Sequence, residues 1–185
     1  GIRQFRRDVL RPQTNAGLVW GKVYKLDLLK EHEVRFDESL AVAEDSDFVF
    51  RVTGYARSIG LLHENVYFYH RNANSTVRAF SSDYVTRIEA AMEAMWIQIK
   101  DSPDRGAYAA LFQSYVAFHL LLILVNYIFN PKAPWTRKER RAEYMRILRK
   151  PLFATALRDV DLDSFSVTRR ISLVTLRFRL FSLSK

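Results

Sequence analysis

Three carboxylates, Glu44, Asp45 and Asp47, fall within four residues of each other in the stretch AEDSDFVF (43–50). The apolar residues that follow predict a helix, so the acidic group stands at its start. Asp is a favoured N-cap, and acidic side chains in a first turn complement the helix dipole. A carboxylate fixed at a helix start is also well placed to accept a proton from a reacting hydroxyl. Asp45 can do both. A second group, His70, Arg71 and Ser75 in YFYHRNANS (67–75), offers donors suited to phosphate oxygens. A third, VWGKVY (19–24), carries Trp20 and Lys22 around Gly21, where the backbone can make a tight approach. Each has an ordinary reading as well: a helix cap, an edge strand with a polar loop, and a core strand with a packed Trp.

The elements that must position these groups follow from periodicity. Residues 1–16 are basic and polar, and Pro12 is expected to break any helix there. The β-branched and aromatic content of 17–24 predicts a strand or extended turn, 25–32 a short helix, and 33–40 a loop or short strand. Residues 45–58 predict an amphipathic helix through Phe48, Val52, Tyr55, Ala56 and Ile59, with Gly60 as its stop. Residues 59–71 alternate aromatic and polar side chains and predict a strand. After residue 80 the pattern becomes helical. A helix over 82–100 runs through Ile88, Met92, Met95 and Ile99, and another spans 107–129. The latter contains the 15-residue run YVAFHLLLILVNYIF, shorter than the roughly 20 apolar residues of a bilayer span, so it reads as the central helix of a bundle. A basic helix follows at 135–150. The expected fold class is therefore α/β then all-α, with an α/β domain over 1–80 and a basic helical domain over 81–185.

The formal net charge is +9, and its placement is uneven. Residues 1–100 hold 14 Lys and Arg against 13 Asp and Glu, whereas residues 101–185 hold 15 against 7. The stretch SVTRRISLVTLRFRLFSLSK (166–185) mixes arginines with apolar residues and contains no acidic residue. Such a segment is attracted to anionic partners, and peripheral attachment to an anionic membrane is the expectation. No zinc-finger, RNA-recognition or interleaved basic–aromatic pattern is present, so nucleic acid is not an expected partner. With no cysteine there is no disulfide framework or thiolate metal site, which fits a cytoplasmic protein.

Four segments in order, VWGKVY, VRFDESL, AEDSDFVFRV and IGLLHENVYFYHRNANST, resemble the second half of the catalytic domain of glycosyltransferase family 2. The resemblance covers roughly residues 17–78. It implies a partial GT-A-like α/β portion ahead of the helical bundle, and inverting transfer of a sugar from a nucleotide-sugar donor to a hydroxyl acceptor, in surface polysaccharide or glycolipid synthesis. It places the catalytic base on Asp45 with Glu44 beside it, and substrate contacts on Trp20, Lys22, His70, Arg71 and Ser75. It further implies a nucleotide-binding half, ahead of the W-G-K segment, whose D-x-D carboxylates hold Mg or Mn. Only 16 residues precede Gly17, and the remaining D-x-D string, Asp161-Leu162-Asp163, reads as a polar turn. The metal ligands are therefore expected outside this chain, and the chain alone is expected to be inactive. Strand edges left open would favour pairing with a second copy. The expected location is cytoplasmic, at the inner face of the plasma membrane. The alternative is a non-catalytic membrane-surface or protein-binding module.

Overall fold

The computed structural model describes residues 1–68, 70 and 80–181. Through them run α1 (Ile2–Val9), α2 (Leu26–Glu31), α3 (Glu44–Tyr55), α4 (Tyr84–Lys100), α5 (Arg105–Ile123), α6 (Arg137–Leu148), α7 (Pro151–Asp159) and α8 (Val167–Arg177). A π-helical turn, Leu124–Ile128, continues α5, and a 3-10 turn, Leu162–Ser164, precedes α8.

No β-strand occurs among the described residues, which overturns the α/β, GT-A-like expectation for the first 80 residues. The segment 17–24 is bent instead of extended. The Leu18 amide turns back onto the Asn15 carbonyl at 3.2 Å, and Gly21 takes a left-handed φ of 68°. Residues 59–68 carry Leu61 at 80% and Phe68 at 73% exposure, as a half-buried strand would not. The enrichment in β-branched and aromatic residues measures fit to a pleated, half-buried surface, and no neighbouring strand here supplies one. The strand edges that would have favoured self-pairing are likewise absent among the described residues. A second correction concerns the N-terminus: Pro12 lies beyond the end of α1 and does not prevent it.

The helices after residue 80 follow the apolar spacing. On α4, Val85, Ile88, Met92, Met95 and Ile99 are all buried. They face α5, whose Tyr108, Phe112, Tyr115, Val116, Leu120 and Ile123 form the centre of the bundle. Phe153 and Ala156 of α7 and Leu173 and Leu176 of α8 close over it. By length and composition the span Arg105–Ile128 could cross a membrane, but 56% of its most apolar window is buried by the surrounding helices. The π turn lets Asn126 donate to the Tyr84 hydroxyl at 3.0 Å, tying the end of this helix to the start of α4. Helix α6 begins with a capping box: Thr136 Oγ1 accepts from the Glu139 amide, and Glu139 accepts from the Thr136 amide. The buried core runs unbroken across residue 80, from Val9, Leu10 and Phe48–Phe50 into α4 and α5.

Candidate active site

Helix α3 is the element that presents the three carboxylates, and its first turn is built without a capping side chain. The N-cap is Ala43, in a left-handed conformation with φ 57°, so Asp45 is the second helical residue and not the cap. The structure then separates the three acids. Asp47 is 3% exposed and turned inward, where it accepts from Arg51 Nε at 2.9 Å and Nη2 at 2.7 Å and from Gln98 of α4. Arg51 also donates to the Arg35 carbonyl at 2.6 Å, which fixes the loop before α3. Phe36 of that loop stacks on Phe48 with ring centroids 4.3 Å apart. Glu44 is half-buried, near enough to Tyr115 to help raise its phenol pKa, which burial already pushes up. The Tyr115 hydroxyl is buried beside Ser46 without a hydrogen bond of standard geometry.

Asp45 is half-buried and points toward the segment 17–24. Its Oδ2 accepts from the Val19 amide at 3.4 Å. The close approach of this segment depends on Gly17, where an added Cβ would lie 2.5 Å from Ser46 Oγ. Lys22 follows, its ammonium bonded to the Leu18 carbonyl. Burial lowers the Lys22 pKa, and the neighbouring Asp45 charge offsets part of that shift. Trp20 stacks on Tyr67 at 5.1 Å between centroids and 20° between planes. The pair stays partly exposed, at 37% and 48%, and so presents an aromatic plate at the edge of the site.

Of the residues singled out in the sequence, Asp45, Glu44, Trp20 and Lys22 therefore lie together around the start of α3. His70 is exposed, and Arg71 and Ser75 lie outside the described residues. Sequence reasoning missed Tyr24. Its hydroxyl is buried without a hydrogen-bond partner among the described residues, and its pKa is pushed up to about 12, first by burial and then by the Asp45 charge. The signal was its place at the end of VWGKVY, at the spacing that brings it back over Phe48, 5.4 Å away edge-on.

The described residues do not suit a divalent metal. Asp47 is committed to Arg51 and Gln98, leaving Asp45 without a paired carboxylate across the D-S-D string. In the other string, Asp161 accepts from the Asp163 amide at 3.0 Å and Asp163 pairs with Arg170 at 3.0 Å, which makes it a structural turn. Among the described residues no three His, Asp or Glu side chains gather into a metal site.

Over 171 residues the chain is 25% identical to a Bacillus subtilis (strain 168) protein named "Uncharacterized glycosyltransferase EpsJ". The match covers 90% of this chain and 49% of that protein, so the chain spans about half the length of this relative. No protein-family description matches the chain, and no solved structure matches it.

Proposed function

We propose that this chain carries the acceptor side and catalytic base of an inverting glycosyltransferase of family 2, acting on a surface polysaccharide or glycolipid. The likeness to a protein named as a glycosyltransferase supports the general role. The observation that carries the finer reading is Asp45. It is a half-buried carboxylate at the start of α3, bonded to the Val19 amide, beside Lys22 and next to the Trp20–Tyr67 plate.

The acceptor sugar lays the C–H face of its ring on that plate. Its hydroxyl, directed at Asp45, attacks the anomeric carbon of the nucleotide-sugar from the side opposite the diphosphate. The new C–O bond forms as the bond to the diphosphate oxygen breaks, with inversion, and the hydroxyl proton passes to Asp45. An alcohol is a poor nucleophile until a base accepts its proton in the transition state. The negative charge on the departing diphosphate is met by His70, Arg71 and Ser75. Glu44 orients the acceptor.

The test is Asp45→Asn in the full-length protein, assayed for sugar transfer to a hydroxyl acceptor. The expected outcome is a rate loss of at least about a hundredfold with an unchanged melting temperature. An unchanged rate would leave the site as a remnant and the chain as a binding module.

A further inference from the structure

Four of the exposed large apolar side chains belong to one helix. On α8, Val167 is 71% exposed, Ile171 61%, Val174 37% and Phe178, at its C-cap, 68%. At about 100° per residue these positions fall within roughly 60° of arc. The side that packs on the bundle, Leu173 and Leu176, lies nearly opposite. Scattered exposed apolar residues need no explanation, but a continuous stripe turned away from the core does. The sequence from 166 onward spreads its apolar residues too widely to show this. The structure divides them, sending 173, 176 and Phe181 inward and the stripe outward.

The charge beside the stripe has one sign on the helix itself. Helix α8 has no acidic residue, and Arg170 and Arg177 lie along one flank of the stripe, with Arg179 just past its end. Arg170 is bonded to the Phe165 carbonyl and paired with Asp163, while Arg177 donates to the Leu157 and Arg158 carbonyls. The carbonyls fix Arg177 without balancing it, whereas Asp163 balances Arg170. Of the nearby acids, Asp159 is paired with Arg158 and Asp163 with Arg170.

We propose that the outward face of α8 docks on an anionic lipid bilayer. Val167, Ile171, Val174 and Phe178 enter the boundary between headgroups and acyl chains, and Arg170, Arg177 and Arg179 meet lipid phosphates. An apolar stripe bordered by arginines lies in that plane with its charged heads directed back to the headgroups. Each arginine near such a surface contributes a factor of about five in affinity. The excess of positive charge in residues 101–185 adds long-range attraction of the same sign. This inference does not rest on the glycosyltransferase reading.

The experiment is flotation of the full chain with vesicles of phosphatidylcholine alone and of phosphatidylcholine mixed with phosphatidylglycerol. The chain is expected to float with the mixed vesicles and not with the neutral ones. The double variant Ile171→Glu, Phe178→Glu changes only exposed positions, so its thermal melt should match the wild type while its vesicle affinity falls at least tenfold, on the order expected for losing two apolar anchors. Because the chain has no cysteine, Ile171→Cys gives a single attachment point for a polarity-sensitive dye. The dye should shift to the blue on mixed vesicles. Absence of flotation, flotation untouched by the double variant with no dye shift, or a dimer in solution that the double variant dissociates would each overturn the proposal, the last by making the stripe a contact between copies.

Discussion

Residues 17–68 and residues 84–177 are both rich in large apolar side chains but place them differently. In the second region Met92, Ile99, Leu120, Ile123, Phe153 and Leu176 are at most 1% exposed. In the first, Val23 is 99% exposed, and Leu61 and Phe68 are close behind. A helix satisfies its own backbone hydrogen bonds, so it needs only an apolar face to be placed. An extended segment needs a neighbour for its backbone as well as for its side chains. The candidate site lies where a non-helical segment, 17–24, meets the first turn of α3. It is held at a few points: Asp45 on the Val19 amide, Asp47 on Arg51 and Gln98, Phe36 on Phe48, and Trp20 on Tyr67. The helical region should therefore set global stability, and the first region should be open to local change.

The largest test of that difference is Phe153→Ala, which deletes a fully buried ring between α7 and α5. The expected loss is about 3–5 kcal/mol in urea unfolding, spread over the whole chain because one core spans it. A loss confined to residues 137–177, seen by hydrogen exchange, would show instead that the two regions unfold separately.

The next effect is pH-dependent and also belongs to the bundle. His119 is buried, its Nδ1 bonded to the Tyr115 carbonyl at 2.9 Å, and burial lowers its pKa from 6.5 to about 4. The folded value lies below the unfolded one, so the unfolded chain takes up the proton first as pH falls. The contribution is complete above pH 6.5, declines between 6.5 and about 4, and amounts to on the order of 3 kcal/mol. His119→Gln should flatten the stability profile across that window. A profile equally steep in the variant would assign the acid sensitivity to other groups.

A smaller effect separates the regions in the other direction. Asp47→Asn weakens the tether from α3 to Arg51 and Gln98. One partner is 5% exposed and the other 28%, so the cost should be about 2 kcal/mol, below that of a fully buried pair. Limited proteolysis should find new cleavage between residues 33 and 51, with α5 untouched. Uniform destabilisation without local cleavage would mean that α3 is held by its apolar face alone.

The same contrast explains what the sequence revealed. The bundle helices were legible because spacing at 88, 92, 95 and 99 has a direct physical counterpart in a buried face. No strand forms among the described residues of 17–24, expected as a strand or extended turn, or of 59–71, because a β-rich composition names no pairing partner. The apolar positions Ala56 and Ile59 prolonged the α3 pattern past its true end at Tyr55 for a related reason: periodicity does not report whether anything lies on the other side. Around the site, the order of the motifs pointed to Trp20, Lys22, Glu44 and Asp45, which lie around the start of α3. It did not reveal that Asp47 is committed to Arg51 and Gln98, since both of those side chains look like ordinary solvated helix residues. Nor did it show that the residue before the acidic group is left-handed.

That last feature supplies the smallest and most local test. Ala43 adopts φ 57°, a region that costs an L-residue roughly 1–2 kcal/mol, directly before the turn that aims Glu44 and Asp45. Glycine removes that cost but has more freedom to lose on folding, roughly 0.5–1 kcal/mol. Ala43→Gly should therefore raise stability by about 0.5–1 kcal/mol, read as a small increase in the urea midpoint with an unchanged slope. The informative readout is the rate of sugar transfer in the full-length protein. If Ala43 only connects the loop to α3, stability and rate move independently and the rate stays put. If the strained residue fixes the direction of the first turn, the more stable variant is the slower one, because Asp45 then samples positions away from the Val19 amide. That outcome would place local strain in the first region as the means by which a loosely packed segment holds a carboxylate in one orientation.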